Sequence, residues 1–197
     1  MNNLKSLTDE ALVGLYSKGE DKAFDELLAR YQSKIYTYIY FLVRNATLAE
    51  DLFQETFVKA IMSIRQGRYS DNGKFCAWIT RIAHNLTLDY FRQEKNENVI
   101  SNDETEMDIF NDPELCEGNV ETALANNQVL RDVRRLICAL PTVQREVVYM
   151  RFYQDLSFKE IADATGVSIN TALGRMRYAL INMRRLADEK GISLCLE

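Results

Sequence analysis

The sequence has little that breaks a helix and little that could carry out chemistry. Two prolines and eight glycines in 197 residues exclude a collagen-like, low-complexity or loop-dominated chain, because these are the residues that interrupt helices. One histidine, His84, and four scattered cysteines, Cys76, Cys116, Cys138 and Cys195, include no C-x-x-C pair. A structural zinc site takes four closely spaced Cys and His ligands, so no metal and no cofactor is expected, and the thiols read as reduced. A serine- or cysteine-type catalytic arrangement would need His84 as its base. It lies inside a helical pattern with no nucleophile indicated beside it, so the chain does not read as an enzyme and no catalytic residue is assigned. No run approaches the roughly 18 apolar residues of a membrane span. The first residues, MNNLKSLTDEALV, lack the apolar core of a signal peptide, so a cytoplasmic location is expected.

What is present is globular: 47% hydrophobic and 27% charged residues, at a length that allows one domain or two small ones. Charge is uneven. Residues 1–95 carry a net +1 and residues 128–197 a net +3, whereas residues 96–127 hold nine acids and no base. The middle segment is polar and like-charged, and its apolar content is too weak to offset ordering entropy, so it reads as a flexible acidic linker. Between Gly166 and Arg185 there are four arginines and no acid. An acidic chain with a local basic stretch can still meet nucleic acid, because phosphate contact is local.

In residues 1–95, apolar positions recur at helical steps. Asp9 to Lys18 reads as a short helix ending at Gly19. Phe24, Leu27, Leu28, Tyr31, Ile35, Ile39 and Leu42 form one stripe, broken at Asn45. Thr47 and Glu50 have capping-box spacing, which predicts Thr47 as the N-cap of the next helix. That helix buries Leu48, Leu52, Phe57, Ala60, Ile61 and Ile64. Its opposite face presents Asp51, Gln54, Glu55, Val58 and Met62. After Gly67 and a turn-rich loop, Phe75, Trp78, Ile79, Ile82, Ala83, Leu86 and Tyr90 make a third stripe, with Lys74, Arg81, His84, Asn85 and Asp89 on the other faces. Tyr69 sits in the polar loop, off any stripe. No strand alternation is visible, so these helices must pack on one another.

In residues 128–197, Val129, Leu130, Val133, Ile137 and Leu140 form a helical stripe. Pro141 stops that helix and suits the first position of the next, which carries Val143, Val147, Val148 and Met150. Ser157 to Glu160 is a second capping box. Ile161, Ala162 and Ala164 make a short helix capped by Gly166. The last helix runs from about Ile169 to Ala187, with Ala172, Met176, Ala179 and Leu180 toward the core. Its outer side carries Asn170, Thr171, Leu173, Gly174, Arg175, Arg177 and Tyr178, without an acid. A short helix, a tight glycine turn and a second, arginine-bearing helix predict a DNA-binding helix-turn-helix. The fold class is all-α: two small helical domains joined by the acidic linker.

AFDELLARYQSKIY, LAEDLFQETFVKA and FCAWITRIAHNLTLDYFR, in this order, resemble the helices of sigma factor region 2. LPTVQREVVYMRFYQDLSFKEIADATGVSINTALGRMRYAL resembles region 4. Two such regions without further ones are similar to the extracytoplasmic-function (ECF) group of the sigma-70 family. The resemblance departs at Leu173 and Gly174, where the family usually has a basic residue followed by Ser. It implies a non-enzymatic RNA polymerase subunit that directs the core enzyme to promoters and helps open the duplex. Its implied partners are core RNA polymerase, through the β′ coiled coil and the β flap, promoter DNA, and an anti-sigma factor, with no small-molecule substrate.

On this resemblance Asp51, Gln54 and Glu55 are the core-binding residues. Tyr69, Lys74, Arg81 and Asn85 meet the −10 element, with Tyr69 offering a stacking face outside the core. Lys159, Asn170, Thr171, Leu173, Gly174, Arg175, Arg177 and Tyr178 meet the −35 element. The linker is expected to thread the polymerase cleft. A stand-alone helix-turn-helix regulator would explain the last segment alone. A protein-interaction module with no DNA role would leave the arginines idle.

Overall fold

A computed structural model describes residues 4–70, 74–98 and 128–192. Among them all regular structure is helical: a 3-10 turn at Leu4–Ser6, then α1 (Asp9–Tyr16), α2 (Asp21–Val43), α3 (Ala46–Arg65), α4 (Phe75–Asn98), α5 (Gln128–Cys138), α6 (Thr142–Phe152), α7 (Phe158–Thr165) and α8 (Ile169–Glu189). The expected linker from 99 onward, with Cys116, and the terminal Cys195 lie outside the described residues. Neither Cys76 nor Cys138 is in a disulfide.

The first unit is built on α2, which packs against α1, α3 and α4. Its Leu27, Ile35, Tyr38 and Ile39 are fully buried, together with Leu12 of α1, Ala60 of α3 and Phe75 and Ile79 of α4. These are the positions a 3.6-residue period places on one face. Aromatic rings fill the seam between helices: Phe24 lies 4.9 Å from Tyr16 and edge-on to Phe57 at 6.3 Å. The N-terminal turn is tied down by Arg30, which donates to Asp9 Oδ1 at 2.8 Å and to the Lys5 carbonyl at 2.9 Å. The Tyr31 hydroxyl donates to the other oxygen of the same carboxylate.

Three sequence expectations change in this unit. Asn45, not Thr47, caps α3: its side chain accepts the Leu48 N–H at 3.1 Å. Arg44 ends α2 in the left-handed region (φ 53°), so the chain re-enters a helix two residues earlier than the capping box suggests. His84 is buried, its Nδ1 3.1 Å from the Tyr38 hydroxyl, rather than on an outer face of α4. α1 ends at Tyr16, and Gly19, at φ 98°, makes the turn into α2.

In the second unit α8 packs on α6 and α5. Leu136, Leu140, Val147, Met150, Ala172, Met176 and Ala179 are buried. Arg145 is buried too, and its guanidinium donates to the Cys138 carbonyl at 3.4 Å and to Thr142 Oγ1 at 3.4 Å. A cation at the C-terminal carbonyls of α5 is favoured by the helix dipole. Pro141 is the N-cap of α6 rather than its first residue, and its carbonyl accepts from the Gln144 and Arg145 N–H groups at 3.0 Å each. Val143 and Leu180, expected in apolar stripes, are 45% and 43% exposed. Val143 sits in the first turn of α6, and Leu180 lies at the edge of the buried stripe, about 40° beyond Met176 and about 100° from Ala179.

Candidate functional site

The first site is a helix face. Buried Leu52, Phe57, Ala60 and Ile64 fix how α3 is rotated against the bundle. Asp51, Gln54 and Glu55 are then all exposed on the far side, and Val58 and Met62 continue the same face at 53% and 52% exposure. The face is acidic over its first turns and apolar over its last. Gln54 donates to Glu50 at 3.1 Å, and Glu55 pairs with Lys59 at 3.1 Å. Both contacts run along the helix surface, where such pairs are worth only about 0.3–0.5 kcal/mol, so an incoming partner can displace them.

The second site is a groove between the C-terminal half of α3 and the middle of α4. Gly67, at φ 67°, turns the chain out of α3, and Arg68 donates its backbone N–H to the Ser63 carbonyl at 2.9 Å. Lys59, Gln66, Arg68, Asn85 and Asp89 supply the groove's polar lining, and Met62, Ile82 and Leu86 its apolar part. Asn85 thus faces an open, partly apolar slot with two cations at its rim. Lys74 and Arg81 are exposed, but neither lines this groove, and Tyr69 does not either. Tyr69 is half-buried, its ring 4.8 Å from Trp78 and 6.1 Å from Phe75. The stacking face expected outside the core is therefore packed on the start of α4. The sequence pattern does not single out Lys59 and Gln66; the signal it offers is their basic and amide character on the open side of α3.

The third site is the helix-turn-helix of α7 and α8. Its entry is fixed by Arg151, which donates to the Leu156 carbonyl at 3.1 Å and lies over the Phe158 ring at 5.6 Å. The second capping box forms as expected: Glu160 Oε2 accepts the Ser157 N–H at 2.8 Å, and the Glu160 N–H donates to Ser157 Oγ at 3.3 Å. Gly166 turns at φ 67°, and Ser168 caps α8 by accepting the Thr171 N–H at 3.0 Å. Lys159, Asn170, Thr171, Leu173, Arg177 and Tyr178 are exposed; Gly174 and Arg175 are half-buried. The Thr171 hydroxyl is 2.9 Å from Ser168 Oγ, so it is engaged in the cap.

Comparison with known proteins matches this arrangement region by region. The family model for Sigma-70 region 2 matches residues 27–97, and that for Sigma-70 region 4 matches residues 130–177; together they span more than half of the chain. The ECF RNA polymerase sigma factor SigW of Bacillus subtilis is 29% identical over 171 residues, covering 85% of this chain and 90% of its own. BldN of Streptomyces coelicolor, also an ECF sigma factor, is 35% identical over 181 residues, covering 90% of this chain and 66% of its own.

The chain belongs to the ECF sigma factors of the sigma-70 family.

Among solved structures, the sigma factor RpoE from Bartonella quintana, in complex with the anti-sigma factor NepR, has the same fold at 21% identity and a TM-score of 0.65, over 85% of this chain and 98% of that one. In this sigma factor the α3 face and the α3–α4 groove both fall within region 2. Region 4 takes in α7 and α8 as far as Arg177, with Tyr178 one residue beyond. Among the described residues no helix is long and apolar enough to cross a membrane, and no group of His, Cys, Asp and Glu could hold a metal ion.

Proposed function

We propose that this ECF sigma factor docks on the β′ coiled coil of core RNA polymerase through the α3 face of Asp51, Gln54, Glu55, Val58 and Met62. The observation that carries the reading is the pairing of acidic and apolar side chains on one exposed face, opposite a fully packed stripe. Such a face offers charge-assisted contacts worth about 1.5–3 kcal/mol each when well formed beside an apolar patch that gains from burial. A stand-alone helix-turn-helix regulator has no use for it.

The remaining assignments follow the same division. Residues 1–95 bind core and the −10 element, residues 128–197 meet the β flap and the −35 element, and residues 96–127 connect them through the polymerase cleft. Asn85, in its groove with Arg68 and Lys59, receives an unpaired −10 base by edge hydrogen bonds, while Lys74 and Arg81 hold nearby phosphates. Arg175 reads a base edge in the major groove and Arg177 and Lys159 contact phosphate. The protein acts in the cytoplasm without chemistry of its own, the polymerase supplying catalysis and metal, and an anti-sigma factor holds it inactive. Mixing the purified chain with core polymerase tests the reading. Co-elution on size exclusion and promoter-dependent transcription are expected; a chain that elutes alone contradicts it.

A further inference from the structure

The middle of α8 holds a glycine that nothing among the described residues requires. Gly174 lies in the interior of α8, and it is absent from the positive-φ glycines. Among the described residues, a Cβ built on it would meet no atom within 4 Å. Neither backbone conformation nor internal packing explains it, and glycine weakens a helix interior relative to alanine. The remaining reason for a glycine is close approach by something from outside.

The surroundings indicate what approaches. Gly174 sits one turn from Asn170 and Thr171 on one side and from Arg177 and Tyr178 on the other. Leu173 and Tyr178 are 44% and 62% exposed, large apolar groups without a protein surface to cover them. Helical side chains lean toward the N-terminus, which carries Tyr178 toward the position left bare at 174. From Ile169 to Leu186 the helix has no acid, as a polyanion's partner would need.

A bare backbone position bordered by apolar side chains on a basic helix fits a thymine methyl, the apolar mark that the major groove displays at T·A pairs. We infer that Gly174 forms a slot for the C5-methyl of one thymine in the −35 element, walled by Leu173 and Tyr178. This rests on the reading of α8 as the −35 helix. The specificity it adds is by shape rather than by hydrogen bonding, which suits Leu173 and Gly174, neither of which has a side chain that can donate or accept a hydrogen bond.

The test uses holoenzyme assembled from the full chain and core polymerase. Duplexes enriched from a random upstream region are re-made with each thymine in turn replaced by deoxyuridine, which removes only the methyl. At one thymine the wild-type holoenzyme loses about fourfold in affinity, the worth of one buried methyl. Gly174→Ala raises the melting temperature of the free chain, yet weakens binding to the thymine duplex by roughly fivefold or more through overpacking. Deoxyuridine at that same position restores part of the variant's affinity. If Gly174→Ala binds the enriched duplexes as wild type does, or no thymine is sensitive to loss of its methyl, the inference is overturned while the −35 reading stands. If no upstream sequence is enriched at all, the −35 reading falls and the inference with it.

Discussion

The ring of Tyr69 stands edge-on to the indole of Trp78, with centroids 4.8 Å apart and planes at 89°. The loop after α3 is thereby anchored to the first turn of α4. Aromatic pairs of this geometry contribute about 0.5–1.5 kcal/mol beyond area burial. Tyr69→Ala is therefore expected to lower the melting temperature of the full chain, whereas Tyr69→Phe keeps both ring contacts and melts close to wild type. Thermal unfolding checks this; an unshifted Tyr69→Ala variant contradicts the packing.

Asn85 is the cleaner probe of promoter melting, because it is exposed and lines the groove. Asn85→Ala should leave the melting temperature near wild type and reduce open-complex formation on duplex promoters by roughly tenfold, within the range of about 1–3 kcal/mol for one bidentate base-edge contact. Permanganate reactivity of the melted strand reads the effect. The defect should persist on a pre-melted template, since a lost base contact is not repaired by prior opening. Full rescue on that template would instead assign Asn85 to strand separation.

The stripes through Phe24, Leu27, Ile35 and Ile39 and through Phe75, Ile79 and Leu86 are legible because a 3.6-residue period leaves one solution for which face is buried. The same rule applied to Leu52, Phe57, Ala60 and Ile64 places Asp51, Gln54 and Glu55 on the open side of α3. The choice between Asn45 and Thr47 as cap is not legible: both residue types cap helices, and the decision rests on Arg44 closing α2 in a left-handed conformation. Nothing in the sequence pattern singles out Arg145, which is buried where it supplies a donor to a C-terminal carbonyl of α5. Tyr69 lies off every stripe along the chain and meets Phe75 and Trp78 only in space. The groove likewise exists only once α3 and α4 pack, which turns Lys59 and Gln66 from helix surface into lining.

Tyr31 gives the fold an alkaline limit. Burial first, and then its hydrogen bond to Asp9, raise its pKa well above the usual phenol value. Between the ordinary value near 10 and the raised one, the unfolded chain releases this proton while the folded chain retains it. The contribution is whole below about pH 10 and declines as pH rises above it. Denaturant unfolding of Tyr31→Phe should show lower stability at pH 7 and a shallower fall above pH 10 than wild type. A parallel fall in both would show that Tyr31 does not set the limit.

Arg175 and Arg177 should separate by the kind of contact each makes. Arg175 is half-buried and Arg177 exposed, and they point about 200° apart around α8. Arg175→Ala is expected to cost about 1–3 kcal/mol and relax preference at one −35 position. Arg177→Ala should weaken binding to all sequences alike and reduce the salt slope by about one phosphate. Salt-titrated binding to a panel of −35 variants checks both. Equal loss on every variant for Arg175→Ala would move it to the phosphate class.

Holoenzyme assembly is proposed to rest on the exposed face of α3. Its most direct measurement is the affinity of the Asp51→Lys, Glu55→Lys double variant for core RNA polymerase, read by size-exclusion co-elution beside circular dichroism and thermal melting. Both positions are exposed, so substitution away from packed features should alter stability by no more than about 0.5 kcal/mol at each. Docking through this face predicts a variant that keeps its helicity and melting temperature and no longer co-elutes with core. A variant that still binds core as wild type does would contradict it.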